Sequence, residues 1–286
     1  MTMNRSVLVI VFAATGCAFV ANPSKVRIPS PPTTLRAEEV SFASASGSRI
    51  KGWLSRGKPG GGAVLLLHGV GSNRTSMLAR AEFLYKEGFT VLAPDFEGHG
   101  ESSGETVTYG ARESLDAAAA MEFLRTVAPG ERIGIIGVSM GGAATLLGSG
   151  PLPADAYVLE SVYPTIRQAV SNRLGAWLGP VGGLGRLFTS PVLGMIHSKT
   201  GVSEKELQPI ARIGDLHAPL LMLAGTEDRY TPLAEAESLF AHAPSPKTFW
   251  AVQGADHEDL YDFAPEKYEE RVGAFLTELL VTHQSH

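Results

Sequence analysis

Cysteine is nearly missing from this chain: Cys17 is the single one among 286 residues. No disulfide can close within the chain, and no cysteine-based metal site exists. Strong charge of either sign is missing too. Lys plus Arg number 24 against 29 Asp plus Glu, for a net charge of −5. That balance provides no basic surface for nucleic acid, so no nucleic-acid partner is expected. The eight histidines form neither an H-x-x-x-H nor an H-E-x-x-H pattern, which removes the usual signature of a zinc hydrolase. Long hydrophobic runs are absent as well. The N-terminal run Val7–Ala14 is far short of the roughly 20 residues that span a membrane. What remains is 44% hydrophobic and 19% charged, the make-up of a soluble globular protein. The length accommodates one large domain with a substantial core and an inserted cap.

The N-terminal run follows Arg5 and ends in small residues, so residues 1–17 read as a secretory signal. Ala14-Thr15-Gly16-Cys17 resembles the lipobox of bacterial lipoproteins. That resemblance implies lipidation of Cys17, attachment to a membrane and export. Ala14 departs from the pattern, where leucine is usual. Cleavage after Ala18, giving a periplasmic or secreted protein, is the competing reading, and a poorly cleaved leader acting as a weak anchor is a third. Residues 18–38 carry Pro23, Pro29, Pro31 and Pro32 and read as an extended, semi-rigid spacer.

From residue 39 to 286 the pattern is that of one domain. Residues 39–43 and 49–54 alternate in polarity around Ser46-Gly47-Ser48 and predict an antiparallel hairpin at a sheet edge. Ala63–Leu67 is a continuous apolar run suited to a strand buried on both faces. Further strands are predicted at 89–93, 132–138, 157–160, 220–224 and 248–252. Helices are predicted at about 75–86, 110–126, 233–242 and 266–280. Repeated strand–helix units predict an α/β fold, with a mostly parallel eight-stranded sheet and helices on both faces.

Gly137-x-Ser139-x-Gly141 lies between a strand and a small-residue helix. A serine there sits on a strained turn with its oxygen above the sheet, and a Cβ at either glycine would strike the neighbouring strand or helix. Such a serine needs a base. His68, His99 and His257 all fall on loops after strands, and Asp228, Glu227 and Asp256 are carboxylates near the last of these.

Five motifs in order now carry a resemblance to the α/β-hydrolase family. They are Leu67-His68-Gly69, Asp95-x-x-Gly98-x-Gly100-x-Ser102, the Ser139 pentapeptide, Gly225-x-x-Asp228 and Gly254-x-x-His257. The local flavour is similar to the serine aminopeptidase/monoglyceride-lipase and dienelactone-hydrolase branches, which are mainly esterases. The resemblance implies Ser139 as nucleophile, His257 as base and Asp228 as its orienting acid. It also implies an oxyanion hole from the backbone N–H groups of Val70 and Met140, and loop-bracing roles for His68 and His99. Residues 163–217 hold no clear strand, and their apolar positions, among them Leu174, Trp177, Leu184, Leu187, Val192, Leu193 and Met195, predict a small helical cap whose inner face covers Ser139. Ser203-x-x-Glu206 predicts a capping box.

The expected function is hydrolysis of a small or hydrophobic carboxylic ester through an acyl-enzyme on Ser139. The partner is then a small-molecule ester. Peptide or amide cleavage by the same residues is the alternative, and a non-catalytic, membrane-tethered binding protein is a third reading. No metal or organic cofactor is implied.

Overall fold

The computed structural model describes residues 22–257 and 259–282. The predicted leader and Cys17 lie outside them.

The apolar runs become the middle of one sheet. Its strands are β1 (Glu38–Ala43), β2 (Arg49–Ser55), β3 (Ala63–Leu67), β4 (Thr90–Pro94), β5 (Ile133–Val138), β6 (Ala156–Glu160), β7 (Leu220–Gly225) and β8 (Lys247–Val252). They lie side by side in the order β8-β7-β6-β5-β3-β4-β2-β1. β2 pairs antiparallel with β1 and with β4, and the other pairs are parallel. The mostly parallel eight-stranded sheet is therefore as predicted.

Side-chain alternation explains why these runs have no polar positions. Ala63, Leu65 and Leu67 enter the core on one face, with α2 (Glu113–Val127) and α3 (Met140–Leu146). Val64 and Leu66 point the other way, among residues of α1 (Leu78–Glu87) and α8 (Pro265–Leu280). Each of these side chains is fully buried, worth about 1.5–3 kcal/mol for a Val or Leu. After β3 the chain moves to β4 on one side, then returns to β5 on the other. The switch point thus lies between β3 and β5, and ligands bind such sheets beyond the carboxyl ends of those strands.

Helix starts differ from those expected where side chains cap early turns. The helix expected from Thr75 opens as a 3₁₀ turn, Arg74–Met77, because the Asn73 side chain accepts the Thr75 N–H. The helix expected from Gly110 begins at Glu113, whose carboxylate folds back to accept the N–H groups of Thr108 and Gly110. The capping box at Ser203 and Glu206 is present and starts a single 3₁₀ turn.

A larger correction concerns the expected spacer. In its described part, Ser24–Lys25 pairs in parallel with His99–Gly100. Ile28 and Leu35 are buried, and the Ser55 hydroxyl donates to the Leu35 carbonyl at 2.8 Å. Residues 24–38 form a strap along the domain, because Ile28 and Leu35 join the apolar cluster that holds Trp53 and Phe83.

Between β6 and β7 the chain forms α4 (Ile166–Leu178), a 3₁₀ stretch at Gly179–Phe188 and α5 (Thr189–Thr200), then three single 3₁₀ turns. Leu174, Val192 and Leu193 face inward as expected. Trp177, Leu184, Leu187 and Met195, predicted for the same inner face, are exposed instead. The remaining helices are α6 (Leu233–His242) and α7 (Leu260–Phe263).

Candidate active site

Ser139 joins β5 to α3 with φ 49° and ψ −109°, a left-handed geometry that costs a non-glycine residue free energy. The neighbours enforce it. A Cβ at Gly137 would stand 2.7 Å from the Gly142 backbone, and one at Gly141 would stand 2.2 Å from the Leu67 carbonyl oxygen. The Ser139 N–H donates to the Glu160 carbonyl at 2.8 Å, and the Ser139 carbonyl accepts the Ala143 N–H at 3.0 Å. The turn is therefore clamped from β6 and from its own helix.

Glu160 carries the clamp further. Its carboxylate accepts Arg80 Nε at 3.1 Å and an Arg80 terminal nitrogen at 2.6 Å. Arg80 also donates to Asp259 at 2.8 Å. The Tyr268 hydroxyl donates to the same Glu160 carboxylate. Arg80, Glu160 and Tyr268 are almost fully buried. Burial and the adjacent Glu160 push the Tyr268 phenol up, keeping it a neutral donor. Through Asp259 this network reaches the loop that carries His257.

His257 Nδ1 and Asp228 Oδ2 are 2.8 Å apart. Asp228 Oδ1 accepts the N–H groups of Tyr230 and Thr231 at 2.8 and 2.7 Å, so the turn fixes the carboxylate and leaves the other oxygen for the imidazole. A carboxylate acceptor places the imidazole proton on Nδ1 and leaves Nε2 basic. Of the other nearby carboxylates, Glu227 is exposed. Asp256 accepts the N–H groups of Arg229 and His257, and the His257 N–H holds its carboxyl below the usual range.

The loop after β3 is braced by the two remaining candidate histidines. His68 Nε2 accepts the Phe96 N–H at 3.1 Å, and His99 Nε2 accepts the Gly71 N–H at 3.1 Å. Their Nδ1 atoms donate to the Gly69 and Glu97 carbonyls. Burial pushes His68 down to about 3 and lowers His99 as well. Both rings are fully engaged with backbone. Among the described residues, the N–H groups of Val70 and Met140 meet no protein acceptor.

Val70, Ser139 and Met140 line one narrow pocket, of about 290 Å³ of empty space including its open mouth. Tyr109 and Tyr163 form part of its wall, and Ile166, Ala169, Val170 and Arg173 of α4 form another part. Arg173 stacks over Tyr230 at 5.0 Å, and Tyr230 meets the His257 ring at 5.2 Å. Tyr109 and Ser161, like Ser139, have positive φ, at 57° and 50°, so backbone strain collects around this site. The Asp95 motif is structural. The Asp95 carboxylate accepts the Arg74 and Glu101 N–H groups at 2.7 and 2.9 Å, and a Cβ at Gly100 would stand 2.1 Å from it.

Sequence reasoning missed Arg80, Glu160 and Arg173. Ile166, Ala169, Val170 and Arg173 fall at helical spacing, so a stripe ending in a cation was the available signal for the last. Among the described residues, no cluster is arranged to hold a metal ion, and no helix is long and apolar enough to cross a membrane.

The strand order and the glycine-locked serine turn agree with a family model. Residues 64–271 match the model of the alpha/beta hydrolase family. The chain belongs to that family. An uncharacterized protein of Mycobacterium tuberculosis is 30% identical to this α/β hydrolase, across 92% of this chain and 87% of its own. An uncharacterized protein of Bacillus subtilis, YqkD, is 27% identical over 82% of this chain and 77% of its own. Among solved structures, the Pyrococcus furiosus esterase Pf2001 superposes with a TM-score of 0.76 at 24% identity, covering 91% of this hydrolase and 98% of that chain.

Proposed function

We propose that this α/β hydrolase is a serine esterase that cleaves small carboxylic esters through an acyl-enzyme on Ser139. The observation that carries the reading is the strained Ser139 sharing one pocket with Val70 and Met140, whose N–H groups meet no acceptor among the described residues. The likeness to an esterase of Pyrococcus furiosus supports the choice of ester over amide.

In this mechanism Ser139 Oγ attacks the ester carbonyl while its proton passes to His257 Nε2. Asp228 holds the imidazole in the required tautomer and stabilises its cationic form. The carbonyl oxygen becomes an oxyanion facing the N–H groups of Val70 and Met140, and the N-terminus of α3 adds favourable potential there. Collapse breaks the bond to the alcohol, which leaves with the proton from His257. Water then attacks the acyl-enzyme, giving its proton to His257. The acid departs, and Ser139 recovers its proton. The narrow pocket beneath α4 favours a short acyl group.

Purified protein lacking residues 1–21 tests this with aryl esters of graded chain length beside aminoacyl anilides. Turnover is expected for short esters, falling with acyl length and absent in Ser139→Ala. Faster anilide cleavage would turn the reading to the aminopeptidase-like alternative.

We also propose export and lipidation at Cys17, on the sequence signal alone. In a bacterial host Cys17→Ser should move the protein out of the membrane fraction. Unchanged partitioning would favour plain secretion or retention by the leader.

A further inference from the structure

The pocket beside Ser139 has one charged residue in its wall. Arg173 lines it together with Ile166, Val170, Met140 and Tyr163. The Tyr163 hydroxyl is already committed, donating to the Tyr109 carbonyl. Among the described residues no carboxylate lies within ion-pair distance of Arg173. Its guanidinium stacks on Tyr230 at 5.0 Å. Stacking occupies the face of the group and orients it, while its N–H donors lie around the edge and are aimed at in-plane acceptors. Arg173 is half-buried, so its charge is partly withdrawn from water with no described carboxylate beside it. The other arginines of the interior, Arg74 and Arg80, each have carboxylates.

We infer that Arg173 recognises an anionic group on the substrate, so that the preferred ester carries a carboxylate within reach of the scissile bond. This rests on the serine esterase reading and narrows it. The carboxylate can belong to the acyl side, as in a half-ester of a dicarboxylic acid, or to the alcohol side, as in an ester of a hydroxy acid. Either way the substrate supplies the counter-ion, and Arg173 acts as a specificity determinant, not a participant in bond breaking.

The test compares kcat/KM for matched pairs in the wild type, Arg173→Gln and Arg173→Lys. Mono-4-nitrophenyl succinate against 4-nitrophenyl butyrate probes the acyl side. 4-Acetoxybenzoate against phenyl acetate probes the alcohol side. The wild type should prefer the anionic member of one pair by roughly ten- to a hundred-fold, the range for a hydrogen bond to a charged group. The preference should reside mainly in KM and shrink with added salt. Arg173→Gln should abolish the anionic-to-neutral ratio, and Arg173→Lys should keep part of it. A ratio unchanged in Arg173→Gln overturns the inference. So does an equal loss for both members, which would make Arg173 a brace for Tyr230 and His257. Should the variants fail to fold, competitive inhibition of wild-type butyrate ester hydrolysis by glutarate, but not by glutaramide, serves instead, and equal inhibition by both overturns the inference. Fluorophosphonate labelling of Ser139 separates the two levels. Labelling without anionic preference sinks the Arg173 inference alone, whereas no labelling and no ester turnover sinks the esterase reading beneath it.

Discussion

Ser139 lies between two regions built in different ways. Below it, the ends of β5 and β6 are locked by backbone contacts that tolerate no added atom, and by a buried ionic network of Arg80, Glu160, Asp259 and Tyr268. Above it, α4 lines the pocket with ordinary helical packing, and α4 and the 3₁₀ stretch after it leave Trp177 and Leu187 in solvent, 60% and 72% exposed. The difference separates two roles. In the proposed mechanism the lower region fixes where bonds are made and broken, and its rigidity holds the strain in place. In the same proposal the upper region selects what enters, and its side chains can change without disturbing the turn.

Substitutions on the two sides should therefore differ in kind and in size. The largest stability effect is expected from Arg80→Met, which leaves the Glu160 carboxylate buried and unpaired. A loss of about 3–5 kcal/mol in urea unfolding is expected, with reduced ester turnover as the His257 loop loosens. A loss below about 1 kcal/mol would show that the network is not what holds the lower region. Gly141→Ala comes next. Its Cβ would meet the Leu67 carbonyl oxygen at 2.2 Å, so overpacking should cost about 1–3 kcal/mol, and turnover should fall more than folding does. An intact rate would mean the turn has more room than its geometry indicates.

A further effect is tied to pH and builds up gradually, so at any one mild pH it is the smaller. His68 is buried neutral and held down to about 3, against about 6.5 in the unfolded chain. Below about pH 6.5 the unfolded state binds a proton that the folded state refuses, so stability falls as pH drops from about 6.5 towards 3. The contribution is at most about 1.4 kcal/mol per pH unit. Burial raises Asp116 to about 6, and that acts in the opposite direction, so the comparison must be with a variant. His68→Gln should be less stable at neutral pH but show a flatter acid limb than the wild type. Parallel limbs in the two proteins would contradict this. The smallest effect belongs to the upper region: Trp177→Ser should change stability by no more than about 0.5 kcal/mol and leave short-ester turnover intact.

The same division describes what could be read in the sequence. Strand positions were legible because a strand with two buried faces has no place for a polar residue, as at Ala63–Leu67. The serine turn was legible because its constraint is local: two glycines must flank one residue. Arg80 was not, because its partners Glu160, Asp259 and Tyr268 lie 80, 179 and 188 positions away, and a lone arginine on a helix reads as solvent-facing. The exposed face of the insertion was misjudged for a related reason. Apolar spacing says which residues share a stripe, but not which stripe a short helix turns inward. The strap at 24–38 is not legible because prolines suppress periodicity, while burial of Ile28 and Leu35 depends on partners far along the chain, Trp53 and Phe83 among them.

The most direct measurement of the central claim is intact-protein mass spectrometry after exposure to a fluorophosphonate, followed by peptide mapping. One adduct per chain, located on Ser139, lost in Ser139→Ala and strongly slowed in His257→Ala, is the predicted result. An unmodified wild-type protein, or an adduct that persists in Ser139→Ala, would contradict it.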